Sequence, residues 1–224
     1  GARRATAGAL VRRVLPGGPV TRAAARHGVT RYVLLLAAYV ATLARICGQR
    51  DVVVGSPASG RTHPALERTV GMFVNTVCLR AEFGATTTFG DLVGHVARRV
   101  AEALTHQAVP HRRIAEALGV PRDPARNPLF DVFFAVHDLG LHERRVELLN
   151  PGTTRFDLNL QIHPRGEELG LDLEYATALF DHASAEFLLG AYVAVLDELL
   201  AAPHAPAVPA RPGSSPVALA EFDL

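Results

Sequence analysis

The chain has 224 residues, enough for one large domain or two small ones with a substantial core. Hydrophobic residues make up 49% and charged residues 20%, with a formal net charge of +1, which excludes a charge-driven nucleic-acid or membrane binder and a chain too polar to fold. All 23 basic residues are arginine, so any contact to phosphate or carboxylate falls to Arg, His or backbone N–H.

In chain order, a basic opening stretch contains a candidate short strand, "ALVRRVL". Residues 19–27 read as a first helix stopped by Gly28. Thr30 caps a longer helix over residues 31–47, and Gly48 supplies its left-handed stop. That helix is apolar around nearly its whole circumference and too short to span a bilayer, so it belongs in a core. With no secretory leader visible, the expectation is a soluble cytoplasmic protein. The two cysteines, Cys47 and Cys78, sit inside apolar patterns and are expected to be buried free thiols.

"DVVVGSP" is a β-branched run ended by turn residues, a buried strand. A loop with one helical turn follows. The next strand is expected over residues 72–80, which would place Asn75 and Thr76 in the middle of an apolar run. Thr88 and Asp91 have capping-box spacing and open a helix to about residue 106. Residues 111–118 form a short helix closed by Gly119, and the Pro-rich "PRDPARNPLF" leads into the strand "FDVFFAVHD". "FDLNLQIH" and "LGLDLEYA" alternate strictly and form a hairpin. Phe156, Leu158, Leu160 and Ile162 face a packed side. Asp157, Asn159, Gln161 and His163 face water or a polar cavity. Asp181 or Ser184 caps the last helix, which ends near Ala201, and "PHAPAVPARPGSSP" has linker composition.

General motifs yield no catalytic constellation. Ten histidines show no H-E-x-x-H, so no metal site is expected; "GSPASG" fails the nucleophile-elbow spacing; no phosphate-binding glycine loop is present.

Several ordered stretches nevertheless carry a resemblance. "VGMFVNTVCLR" is similar to the I-G-x-F-V-N-T segment of nonribosomal peptide synthetase condensation domains. "RDPARNPLF" is similar to their R-D-x-S-R-N-P-L-F, with Ala125 for Ser, and "RICGQRDVVVGSPASGR" to R-Y-x-G-Q-x-D-V-V-V-G-x-P-x-A-G-R. "THQAVPH" departs from H-Q-D-x-P-F-E: Ala108 replaces Asp, and His111 with Arg112 replaces Phe-Glu. "FDLNLQI" and "LEYATALFD" match the late hairpin and the entry to the last helix. The family's H-H-x-x-x-D-G signature has no counterpart, since the chain contains no His-His pair.

The resemblance implies an α/β (α+β) fold, a chloramphenicol-acetyltransferase-like subdomain with a mixed sheet packed against helices. It implies that residues 1–202 are the C-terminal half of a condensation domain and 203–224 a Pro/Ala-rich interdomain linker. Such a half supplies wall, floor and latch of a tunnel in which an acyl donor and an aminoacyl acceptor meet on phosphopantetheine arms, in secondary metabolism such as antibiotic biosynthesis. No cofactor is expected to bind the chain directly. The implied partners are an N-terminal condensation subdomain, peptidyl carrier proteins and an adjacent adenylation domain, with homodimerisation when isolated.

By the same resemblance, Gly71, Phe73, Asn75, Thr76, Asn159 and Gln161 support or line the tunnel, and no residue of this chain is the catalytic base. Asn75 and Thr76 either contact substrate or tie their strand to a neighbouring loop. Ser56, Pro57, Gly60 and Arg61 begin the floor crossing, with Arg61 expected to hold it by ion pairing. Arg122, Asp123 and Arg126 anchor a loop, with Arg122 and Asp123 paired to each other or tied elsewhere. The alternative is a truncated, non-catalytic platform that recruits or supports another protein.

Overall fold

The computed structural model describes residues 7–121, 123, 126–137 and 152–209. Strand β1 (Gly8–Pro16) runs directly into α1 (Gly17–Arg26), and after Gly28 comes α2 (Arg31–Cys47). Then follow β2 (Asp51–Ala58), a 3-10 turn (Pro64–Leu66), β3 (Asn75–Glu82), α3 (Phe89–Thr105) and α4 (His111–Ala117). β4 (Val132–Val136), the hairpin β5 (Leu158–Arg165) and β6 (Glu168–Ala176), and α5 (His182–Ala201) complete the described chain. The six strands form one sheet in the order β1-β6-β5-β4-β2-β3. β4 is parallel to both its neighbours and every other pairing is antiparallel, giving the mixed sheet expected.

Packing follows the alternation of the strands. Val11, Val52, Val54, Val77, Leu79, Phe134, Leu160, Ile162, Leu171 and Leu173 are buried on one face, in one cluster with the helices. α2 is the centre of that cluster: every side chain from residue 33 to 44 is buried. Thr30 accepts from Val33 N and Gly48 takes φ 67°, so both of its expected ends are found. Tyr39 stacks on Phe134, and Tyr192 of α5 meets Tyr39 edge-on, so aromatic contacts knit sheet, α2 and α5. Asp181, not Ser184, caps α5 by accepting from Ser184 N.

Four expectations need correction. β3 begins at Asn75, not Met72, because residues 72–74 have no strand partner; Met72 is 90% exposed. Phe156 lies outside β5 and stacks on Phe133, on the face opposite Leu158 and Leu160. Cys47 is exposed at the last residue of α2, and Cys78 is half-buried. Residues 203–209, expected to open a linker, lie on the body: Phe89 N and Gly90 N donate to Ala205 O and Pro203 O, and Ala207 is fully buried. The first N–H groups of α3, which have no partner inside their own helix, take those carbonyls. Among the described residues no single helix is long and apolar enough to cross a membrane.

Candidate functional site: the second face of the sheet and the segment before β3

Because side chains alternate, the sheet's other face is built from Arg12, Asp172, Gln161, Asn159, Glu174, Phe133, Gly55 and Cys78, brought side by side by the strand register. It is polar at its centre, and Asn159, His163 and Asp172 are all buried, so of the two expected settings, water or a polar cavity, these three do not face open water. Arg12 Nε stands 3.5 Å from Asp172 Oδ1, and His137 Nε2 bonds Gln161 Oε1 at 2.9 Å. Asn159 Oδ1 and His163 Nδ1 are buried with no hydrogen-bond partner. The His163 ring lies over Gly170, where a Cβ would come within 2.4 Å of its Nε2. Burial pushes the His163 imidazole below its ordinary value, against the pull of the Asp172 carboxylate.

Beside this polar patch sits an aromatic trio. Phe133 and Phe156 stack at 4.4 Å, and Phe130 packs against both. Phe130 lies where a side chain on Gly55 would be, its ring 2.2 Å from an ideal Cβ position, so only glycine fits there. On the helix side of the same junction, Ser56 is fully buried and donates to Phe134 O at 2.8 Å, while Tyr32 OH reaches Ser56 Oγ at 2.6 Å. Burial pushes the Tyr32 hydroxyl up to about 12 despite that bond. Ser56 is therefore a core link between α2, β2 and β4 inside β2, and not part of a departing loop. Pro57 is in the same strand, past the single β2–β4 register pair at Gly55 and Phe133, where its missing N–H is tolerated.

The chain leaves the sheet after Ala58. Gly60 has φ 64°, and a Cβ there would lie 2.0 Å from Phe73 O, so the turn requires glycine. Arg61 donates to Leu66 O and to Thr69 O, and its guanidinium lies 4.6 Å over the Phe73 ring. It thus holds the segment through carbonyls and a ring and not, among the described residues, through the ion pair expected. Gly71 and Met72 are exposed and Phe73 is half-buried beneath Arg61. At the end of this segment Asn75 Nδ2 donates to Gln107 O at 2.7 Å and Val109 O at 2.8 Å. Its side chain points to the turn between α3 and α4, on the same face as Val77, while Thr76, half-buried, points to the opposite face.

The remaining expected anchors separate. Arg126 Nη2 lies 2.5 Å from Asp131 Oδ2, and Arg126 N donates to Asp123 O at 3.3 Å. Arg122, and with it the expected pairing to Asp123, lies outside the described residues. A cleft of about 330 Å³ between β3 and α3 is lined by Cys78, Arg80, Glu82, Arg99, Glu102 and His106. Arg80 is engaged by Asp51 through two 2.8 Å bonds and Arg99 by Glu102 at 2.9 Å. Burial pushes the Cys78 thiol up to about 11, the opposite of an activated nucleophile. Sequence reasoning missed the Phe130, Phe133 and Phe156 trio, His137 and Tyr32. Only the run of phenylalanines after "NP" hinted at the trio.

Against this geometry the similarities can be stated. A family model for the condensation domain matches residues 18–208. Surfactin synthase subunit 1 of Bacillus subtilis (strain 168) is 36% identical over 197 residues, 84% of this chain and 5% of that protein. The X-domain of teicoplanin biosynthesis, solved in complex with OxyB, superposes with TM-score 0.79 at 28% identity, over 92% of this chain and 49% of the solved one. The first condensation domain of the CDA synthetase superposes with TM-score 0.76 at 24% identity, over 91% of this chain and 48% of the solved one, a likeness of fold. The chain spans a small part of the curated relative it matches and about half of these two solved chains. Its six-stranded mixed sheet with helices is the chloramphenicol-acetyltransferase-like fold of those neighbours. The chain belongs to the condensation-domain family of the nonribosomal peptide synthetases.

Proposed function

We propose that this chain is the C-terminal half of a condensation domain, supplying the acceptor-side wall, the floor and the latch of a tunnel whose catalytic imidazole belongs to the other half. The observation that carries the reading is the one-sided sheet. Its aliphatic face is packed by helices, while its opposite face gathers Asn159, Gln161, His137 and the Phe133–Phe156 stack. In the complete domain an amine nitrogen attacks a thioester carbonyl, the C–S bond breaks, and the amine proton ends on the departing thiol. Both reactants arrive on phosphopantetheine arms of peptidyl carrier proteins, and an adenylation domain neighbours the condensation domain. What the half contributes is placement of the two arms and exclusion of water. Asn159 and Gln161 stand on the acceptor-side wall. Gly71, Phe73, Asn75 and Thr76 carry the floor segment back to it. Arg122, Asp123 and Arg126 hold the loop before β4. The body is proposed to end after residue 209, with an interdomain linker beyond, and the assembly to work in the cytoplasm.

The test is reconstitution. The chain alone, with donor- and acceptor-loaded carriers, is expected to form no amide, and a companion half carrying H-H-x-x-x-D-G is expected to restore it, read by intact mass of the acceptor carrier. Amide formation by the chain alone overturns the proposal.

A second reading has an observation of its own: the related X-domain was solved in complex with another protein. On that reading the chain is a non-catalytic platform, and the departures at Ala108, His111 and Arg112 reflect released constraint. A companion half that binds the chain yet never yields amide favours this reading.

A further inference from the structure

Five of the nine large apolar side chains exposed among the described residues fall in two stretches: Val70, Met72 and Val74 before β3, and Leu104 and Val109 at the turn that joins α3 to α4. These stretches are far apart in sequence, and Asn75 joins them. Its amide donates to the carbonyls of Gln107 and Val109, which puts Val74 and Val109 on either side of one side chain. The turn is itself ordered, with Val109 N bonded to His106 O and Gln107 Nε2 to Leu104 O, and α4 packs against β3. The segment before β3 is ordered from its other end by Gly60 and Arg61. Glu67, Arg68, Arg112 and Arg113 are exposed around the apolar groups. An apolar centre with a charged rim, held by specific bonds, is the composition of an interface and not of a loop tip.

We infer that the segment before β3 and the α3–α4 turn form a single docking surface, welded by Asn75, and that its occupant is the other half of the condensation domain. The inference rests on the half-domain reading above. It adds the α3–α4 turn to the floor and makes Asn75 a positioning residue that builds the surface. The occupant follows from length: this chain accounts for 49% and 48% of two solved chains of this fold, so a partner body of about equal size lies outside it. Both hydrogen bonds of the Asn75 amide are already given to this chain's own carbonyls, which leaves its donors unavailable to a substrate.

The experiment places the photo-reactive residue p-benzoylphenylalanine at Met72, at Val109 or, as a control on the far side of the fold, at Phe187, in a complete condensation domain containing this chain and its companion half. Cross-linked peptides are then mapped by mass spectrometry. The expected result is cross-links from 72 and 109 to the companion half and none from 187. Cross-links from 72 but not 109 overturn the joint surface and leave the half-domain reading standing; none from either position removes that reading as well. Cross-links from 109 to a second copy of this chain also overturn the inference. Asn75→Ala is then combined with each probe. Loss of roughly 1 kcal/mol of ordering makes cross-linking from 109 fall at least about fivefold. The yield from 72, held by Arg61 and Gly60, is expected to be retained and reports that the variant is folded. An unchanged yield from 109 refutes the role given to Asn75.

Discussion

The layer formed by α2, α5 and strands β4 to β6 differs in kind from the segment between β2 and β3. In the layer, each side chain's place follows from its position along a helix or strand, and almost nothing depends on one contact. Between β2 and β3, two exposed runs, residues 62 to 65 and 67 to 72, are held by Gly60, Arg61 and the ring of Phe73. The first region holds itself together. The second is shaped by those contacts with its apolar groups Val70, Met72 and Val74 facing outward, the surface proposed above for the other half. The difference teaches that rigidity here has two sources, close packing and a few placed polar bonds, and that they should fail separately.

The hardest break is in the packed layer. Phe134 is fully buried on β4 and meets both Tyr32 and Tyr39 of α2. Phe134→Ala is expected to cost about 3–5 kcal/mol, enough to threaten the fold, in urea unfolding followed by circular dichroism. A loss below about 1 kcal/mol would mean that the layer is loosely packed and the contrast drawn above is wrong.

A smaller break tests the strap. Arg45 on α2 donates to Ala207 O at 2.7 Å and to Glu198 at 2.8 Å, and lies 5.3 Å over the Phe89 ring. Glu198 is largely solvent-exposed, so the ion pair itself adds little. Arg45→Met keeps the aliphatic stem and is expected to cost about 1–2 kcal/mol, most of it the carbonyl bond and ring contact. Residues 203–209 should become the first site of protease cleavage while the unfolding transition stays single. Unchanged cleavage kinetics would show that the strap is held by its backbone bonds to α3 alone.

The two regions also differ in how much of them can be read from sequence. α2 was legible to the residue because its boundaries are chemical: Thr30 offers a hydroxyl to an orphan N–H and Gly48 takes a left-handed turn. The β5–β6 hairpin was legible because its alternation is strict and Gly166 makes the turn at φ 67°. The start of β3 was not, since Val70, Met72 and Val74 look like buried strand residues and only the absence of a pairing partner shows otherwise. The Phe130 ring over Gly55 and the Ser56 bridge from Tyr32 to Phe134 join residues distant in sequence, and no local pattern announces such contacts. Asn75 was conspicuous as a polar residue in an apolar run, but its partners, two carbonyls of a distant turn, were not readable.

Gly60 sharpens the comparison from the other side. Gly60→Ala places a Cβ against Phe73 O and forces a non-glycine residue into positive φ. The expected cost is about 1–2 kcal/mol, confined to the segment. Amide hydrogen exchange should rise across residues 61–73 and stay unchanged in α2. A global loss of protection would show that the segment is part of the cooperative core.

The smallest expected effect concerns pH, and it separates the polar face of the sheet from the core beneath it. His163 is buried on β5, and burial lowers its folded pKa below the unfolded value of about 6.5. The groups facing it are Asp172, which favours its charged form, and Arg165, His137 and Arg12, which oppose it. The unfolded chain therefore takes up a proton at a pH where the folded chain does not. Stability from this group is complete above the unfolded value and is lost as pH falls through the lower folded value. Denaturation between pH 7.5 and 5 should show this fall, and His163→Leu, which removes both the proton and the unpartnered Nδ1, should flatten it. An equally steep fall in the variant would assign the proton uptake to other groups.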